Sequence, residues 1–234
     1  MKRLLSFVLI AVFFFTPTAN AAPKKISPKP MQLVTTVGTP DEVSGVVASG
    51  KTLIVYGSKA SKAYARGVDT TGKELWSLSL DQAPASIATT AAVDPVGDIW
   101  IAGATPLALG LIEPSPTATP VNPDNAVVPP TTLVGNLQAV TIWKITAAGV
   151  ITFTKTLPTS SVLFPTSISV DRNGASVVGI IGSEKGSAGF LVNTDKDGVF
   201  GKLLQIGSLA TTADSVVRHS DASFTVVGSS SETL

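Results

Sequence analysis

The chain of 234 residues contains no cysteine, a single histidine and two methionines, and only 14% of it is charged. Without cysteine there is no disulfide, no thiolate metal site and no lipid anchor on an N-terminal cysteine, so a packed core must hold the fold. With His219 as the only histidine, a metal site built on two imidazoles is excluded. The sequence also lacks G-x-S-x-G, H-E-x-x-H and a phosphate-binding glycine loop. It therefore calls for no cofactor and carries no recognisable catalytic motif. The apolar run from Leu4 to Phe15 is twelve residues long, well short of the ~20 that cross a bilayer.

What is present at the N-terminus is the three-part pattern of a secretory signal. Lys2 and Arg3 precede the apolar run, and small residues follow it up to Ala19-Asn20-Ala21. Residues 1–21 are read as a signal peptide, residues 22–31 as a flexible mature N-terminus, and 32–234 as the folded domain. Cleavage leaves 15 basic and 16 acidic residues, near neutrality and without a basic stripe. Nucleic acid is thus an unsuitable partner, and a secreted, periplasmic or cell-envelope location is expected, with no stable membrane span.

Ser, Thr, Gly, Ala and Val dominate, and no apolar stripe at helical spacing follows the signal. These features predict an all-β fold. Four segments repeat one pattern: VVASGKTLIVYG from Val46, AAVDPVGDIWIAG from Ala91, SISVDRNGASVVGIIG from Ser167 and SVVRHSDASFTVVG from Ser215. Each reads as two apolar strands about a polar turn, closing in glycine. The closing glycines, Gly57, Gly103, Gly182 and Gly228, lie at intervals of 46, 79 and 46. The excess in the middle coincides with a stretch carrying seven prolines between Pro106 and Pro130, read as a surface insert over 105–137.

A second half-repeat follows each complete hairpin, turning at Gly72, Gly149 and Gly198. Four strands per ~46 residues match one blade of a β-propeller. The expected architecture is a β-propeller of four-stranded antiparallel blades, with a β-sandwich as the alternative. Blades are placed at 43–81, 82–158, 159–207 and, in part, 208–234, with an outer strand at 32–38. That makes about three complete blades and a partial one. Two explanations stay open for the deficit: a longer propeller, or a four-bladed ring with one deficient blade. An edge strand near Val226 is expected to invite pairing with another chain.

The segment from Asp94 to Thr105, DPVGDIWIAGAT, resembles the exported bacterial β-propeller repeat, in which an Asp-x-x-Gly turn precedes an aromatic-containing strand ending in Gly-Ser/Thr. Asp171-Arg172-Asn173-Gly174 fits the same turn. The resemblance covers most of 43–230 and implies an extracytoplasmic propeller without implying one activity.

Candidate sites are few. Asn193, Asp195 and Asp197 in NTDKDG have the spacing of a weak cation turn. The twelfth position of a calcium loop would be Leu204, however, and the segment shares its register with VDTTG and ITAAG, so a turn is the expected role. His219-Ser220-Asp221 is read as a solvated turn, because neighbours in one turn cannot aim at one another as a triad must. Trp76, Trp100, Trp143, Tyr56 and Tyr64 are read as core, the sharper alternative being an aromatic platform for sugar. Strand alternation puts the insert on the same rim as the connections between blades. The ligand-binding residues expected there are Asp81, Gln82, Glu113, Asn122, Asp124, Asn125, Ser160 and Ser208.

The expected function is a non-catalytic module binding protein or glycan at the bacterial envelope. The alternative is an exported hydrolase or lyase using carboxylates from several blades, with Asp94 and Asp171 as its acids. Signal cleavage is checked by the intact mass of the exported protein, expected to correspond to a chain that begins at Ala22.

Overall fold

The structure is a computed structural model, and it describes residues 42–81, 85–106, 137–183, 186–207, 210–221 and 223–231. These residues form fourteen strands and no helix. Sheet 1 contains β1 (Glu42–Ser49), β2 (Thr52–Lys59), β3 (Lys62–Val68) and β4 (Glu74–Ser79) in that order. Sheet 2 contains β5 (Ile87–Val93), β6 (Ile99–Pro106), β7 (Leu137–Ile145) and β8 (Ile151–Pro158). Sheet 3 contains β9 (Leu163–Asp171), β10 (Gly174–Ser183), β11 (Gly186–Asn193) and β12 (Leu204–Ile206). In sheet 4, β13 (Ser215–Arg218) pairs with β14 (Phe224–Val227). All pairings are antiparallel, and each of the first three sheets is a simple up-and-down meander.

The first three sheets span Glu42–Ser79, Ile87–Pro158 and Leu163–Ile206, and the expected outer strand at 32–38 lies outside the described residues. At the insert the strands reach further than its sequence limits. Thr105 and Pro106 end β6, and Pro106 pairs with Leu137 at the start of β7. Three residues assigned to the insert therefore belong to the sheet.

Face-to-face packing follows chain order. One apolar cluster joins sheets 1 and 2 through Ile54, Tyr56, Ala63 and Ala65 against Ile99, Ile101, Trp143 and Ile145. A second joins sheets 2 and 3 through Trp100, Ala102, Val140 and Ile142 against Ile168, Val177, Phe190 and Val192. A third joins sheets 3 and 4 through Val178 and Leu191 against Ala213 and Val216. Sheet 2 is thus covered on both faces. Successive side chains of a strand point to opposite faces, so Ile99 and Ile101 meet one neighbour and Trp100 and Ala102 the other. This explains why IWIA reads as an unbroken apolar run rather than an alternating one. The first strands β1, β5, β9 and β13 are also neighbours in succession.

A bulge recurs at the start of each of the first three sheets. The register of β1 slips between Val43 and Gly45, that of β5 between Ala88 and Thr90, and that of β9 between Pro165 and Ser167. The extra residues are Ser44, Thr89 and Thr166, and Asp214 holds the corresponding place in sheet 4, its N–H donating to Val227 O at 2.8 Å. Opposite each bulge lies a glycine. A Cβ on Gly57, Gly103, Gly179 or Gly228 would fall 1.9–2.2 Å from a backbone oxygen of the first strand or its lead-in. In sheet 3 the residue in this position is therefore Gly179, not Gly182. A Cβ on Gly182 would meet nothing closer than 3.4 Å. The Gly182 spacing looks regular only because β10 carries a further Gly three residues on.

The second-hairpin turns share one geometry. Gly72, Gly149 and Gly198 have φ of +88°, +81° and +77° and donate their N–H to the carbonyls of Asp69, Thr146 and Asp195 at 2.9–3.1 Å. Gly97, with φ +93°, closes on Asp94 in the same way in the first hairpin of sheet 2. Asp171-Arg172-Asn173-Gly174 departs from the expected likeness. Asp171 pairs directly with Gly174, making a two-residue turn, and Gly174 sits at φ +136° with its α-carbon against the backbone of Thr194 and Asp195.

Gly179→Ala should destabilise the protein by ~1–3 kcal/mol, the usual range for overpacking, while Gly182→Ala stays within ~0.5 kcal/mol. Urea denaturation of the two variants checks the assignment; equal effects would contradict it.

Candidate functional site

The two acids of the hydrolase alternative are committed elsewhere. Asp94 is 8% exposed. Its Oδ1 accepts the N–H groups of Val96 and Asp98 at 3.0 and 2.9 Å, and its Oδ2 accepts Trp100 Nε1 at 3.1 Å. Lys144 Nζ lies 3.1 Å from Asp94 Oδ2 and 3.2 Å from Asp98 Oδ2, and 5.1 Å from the Trp100 ring centroid. Burial opposes the charge on Asp94, but hydrogen bonds from Trp100, Lys144 and the Asp98 N–H outweigh it and hold the carboxyl below its ordinary range. Burial likewise opposes the charge on Lys144, and the two carboxylates override it and raise the amine.

Asp171 repeats the arrangement across a sheet boundary. Its Oδ1 accepts the Asn173 N–H at 2.8 Å and lies 3.1 Å from Nε of Arg218, which reaches over from β13. Burial works against its charge, and the Asn173 N–H and Arg218 more than compensate, so this carboxyl too is lowered. Carboxylates kept ionised by these partners serve as acceptors, not proton donors.

In the NTDKDG turn the two aspartates are bound locally, while the buried Asn193 Oδ1 has no hydrogen-bond partner among the described residues. Asp195 Oδ1 accepts the N–H groups of Asp197 and Val199 at 2.9 and 2.8 Å. Asp197 pairs with exposed Lys196 at 2.7 Å, and Asn193 O accepts the Gly201 N–H at 2.8 Å. Asp69 folds back in the same way, onto Thr71 and Lys73. The side chains reinforce a turn that Thr146 makes without any carboxylate. Among the described residues no group of three acidic or histidine side chains converges as metal ligands would. His219 shares a hydrogen bond with Thr225 Oγ1 at 2.9 Å, and Asp221 accepts from Ser223, so the three turn residues do not address one another as a triad.

The tryptophans are structural. Trp100 and Trp143 are fully buried, and half-buried Trp76 donates its Nε1–H to Ala147 O at 3.0 Å. Trp76 thereby covers the Gly149 turn of sheet 2, and Phe153 of sheet 2 covers the Gly198 turn of sheet 3. In both places a glycine permits ring contact that a Cβ would block.

On the insert side the structure opens a cavity of about 450 Å³ between sheets 1 and 2. Leu80 and Asp81 line it from the end of sheet 1. Thr105, Pro106, Ala139, Thr141, Trp143, Thr154, Thr156 and Pro158 line it from sheet 2. Thr105 Oγ1 and Thr141 Oγ1 are 2.8 Å apart, and Thr141 Oγ1 and Thr156 Oγ1 are 2.9 Å apart, forming a hydroxyl chain across β6, β7 and β8. Trp143 Nε1 is buried with no acceptor.

Of the residues expected at this rim, Asp81 lines the cavity. Ser160 is exposed in the connection between β8 and β9 and does not line it. Gln82, Glu113, Asn122, Asp124, Asn125 and Ser208 lie outside the described residues. The threonines were not among the candidates. The alternation in TFTKT over 152–156 hints at a hydroxyl-bearing face, but the partners Thr105 and Thr141 stand on either side of the insert.

Asp94→Asn replaces an acceptor by a donor facing Lys144, and should cost ~1.5–3 kcal/mol at pH 7, the worth of hydrogen bonds to charge. Because the folded Asp94 carboxyl is lowered, its contribution is present above the ordinary carboxylate pKa of ~3.9 and is lost as pH falls through the folded value. The gap between wild type and variant should therefore close in acid, as read by thermal denaturation against pH. The chain matches no protein-family model and no curated protein.

Proposed function

We propose that the protein is an exported, non-catalytic binding module of β-propeller type, which presents its insert-side edge to a protein or glycan at the bacterial envelope. The observation that carries this reading is the cavity on the insert side, lined by hydroxyls and prolines with Asp81 as the one acidic residue among the described ones. A hydrolase or lyase would need two acids facing one cleft. Asp94 and Asp171 stand instead in turns of different sheets, each bound to its own backbone and to a cation.

The order of the sheets favours a propeller over a sandwich. In a two-layer sandwich every sheet has one solvated face, whereas sheets 2 and 3 are each covered on both. Adjacent first strands suit blades set about an axis. The resemblance to the exported propeller repeat and the signal pattern at residues 1–21 support the extracytoplasmic placement. The edge of β14 is a further point of contact. Among the described residues it pairs only with β13, and it exposes Phe224 and Val227, so it suits strand addition by another chain near Val226.

Binding is tested by sedimenting the full chain with the envelope fraction of its host. A variant in which residues 108–135 are replaced by a short Gly-Ser linker should fold normally by circular dichroism and sediment with at least ~10-fold weaker affinity, about 1.4 kcal/mol. Undiminished binding by this variant would remove the insert-side edge from the function.

A further inference from the structure

The cavity occupies a position that recurs from sheet to sheet. Cross-strand partners place Gly57, Tyr64 and Ser79 in one row of sheet 1, Gly103, Thr141 and Thr156 in the same row of sheet 2, and Gly179, Phe190 and Gln205 in sheet 3. Two residues along, on the same face, Val55, Arg66 and Ser77 correspond to Ile101, Trp143 and Thr154. Sheet 1 has a smaller cavity here, about 230 Å³, lined by Lys59, Lys62, Tyr64, Ser77, Leu78 and Ser79. In sheet 3 the fully buried Phe190 ring joins the core between sheets 2 and 3. The repeat thus accommodates an aromatic plug at this position, and sheet 2 has Thr141 in its place.

We propose that the cavity between sheets 1 and 2 is a saccharide site that receives a neutral sugar unit. This inference rests on the binding-module reading and narrows its ligand to a class. Three hydroxyls in a row contain three protons, and the two links of the chain use two of them. The chain can run in either direction, so exposed Thr156 offers a donor in one state and an acceptor in the other. Thr154, two residues along on the same face, is exposed at the same wall. Sugar hydroxyls both donate and accept, and they match such a surface in either state.

Charge and shape favour the same class. Among the described residues no cation lines the cavity, so a phosphate or uronate would enter without a counter-charge from them. The cavity lies within the ~300–1,000 Å³ of small-molecule sites. Leu80, Pro106 and Pro158 give it apolar walls for the C–H faces of a pyranose ring. In sheet 1 the corresponding cavity bears Lys59 and Lys62, so the neutral character belongs to the sheet 2 site.

The test applies the full chain to an array of neutral and uronate-containing oligosaccharides, followed by calorimetric titration with the strongest neutral binder. Wild type should prefer neutral sugars. Thr154→Val with Thr156→Val removes two hydroxyls at nearly constant shape and should weaken binding at least ~10-fold with an unchanged melting temperature. Thr141→Phe copies the plug of sheet 3 and should abolish binding. Absence of neutral-sugar binding, or a double valine variant that binds like wild type, would overturn the proposal. Envelope binding that survives periodate oxidation of the glycans would also overturn it while leaving the binding-module reading intact. Failure to bind envelope at all would remove both.

Discussion

Everything in this molecule depends on sheets covering one another. Without disulfides, the apolar faces must find partners, and they do so in chain order, each sheet against the next. Sheet 2 shows the demand most clearly. Ile99, Ile101 and Trp143 are buried on one side and Trp100, Ala102 and Ile142 on the other. Fully burying a large apolar side chain stabilises by ~1.5–3 kcal/mol, so the two faces of this one sheet supply a large part of the opposition to chain entropy. Close approach at these faces in turn requires the glycines opposite the bulges, because a Cβ at Gly103 would strike Ile87 O and the Trp143 ring.

Charge is used sparingly and locally. Asp69, Asp94 and Asp195 each fold a carboxylate oxygen back onto the N–H groups of their own turn, and Thr146 does the same with a hydroxyl. Where an acid meets a cation, the pair fastens parts that the backbone leaves apart: Lys144 of β7 ties down the first turn of sheet 2, and Arg218 ties sheet 4 to the first turn of sheet 3. A chain with so few charges places most of them at turns and seams, and among the described residues lining the cavity Asp81 alone is charged.

The division into sheets was legible because strand, turn and glycine recur at a nearly fixed period, and each follows from local backbone chemistry. What was not legible depended on distant partners. DRNG has the letters of DPVG, yet Asp171 is drawn to Arg218 and pairs directly with Gly174, so a different turn forms. Gly179 and Gly182 both fit the spacing, and only the bulge at Thr166 decides between them. The hydroxyl chain could not be read at all, since Thr105, Thr141 and Thr156 become neighbours only after β6, β7 and β8 pair across the insert. Of the rim candidates, Asp81 lines the cavity and Ser160 does not.

The aromatic caps on the turns give the stack a direction. Trp76 of sheet 1 seats on the Gly149 turn of sheet 2, and Phe153 of sheet 2 on the Gly198 turn of sheet 3. Sheets 1 and 2 therefore each carry the residue that captures a turn of the sheet after it. For a chain that emerges N-terminus first, as nascent chains do, every finished sheet is a template waiting for the next, and among the described residues each apolar cluster joins one sheet to the sheet that follows it. Such nearest-neighbour growth keeps the effective contact order of assembly low for an all-β protein, a class in which non-local pairing ordinarily makes folding slow.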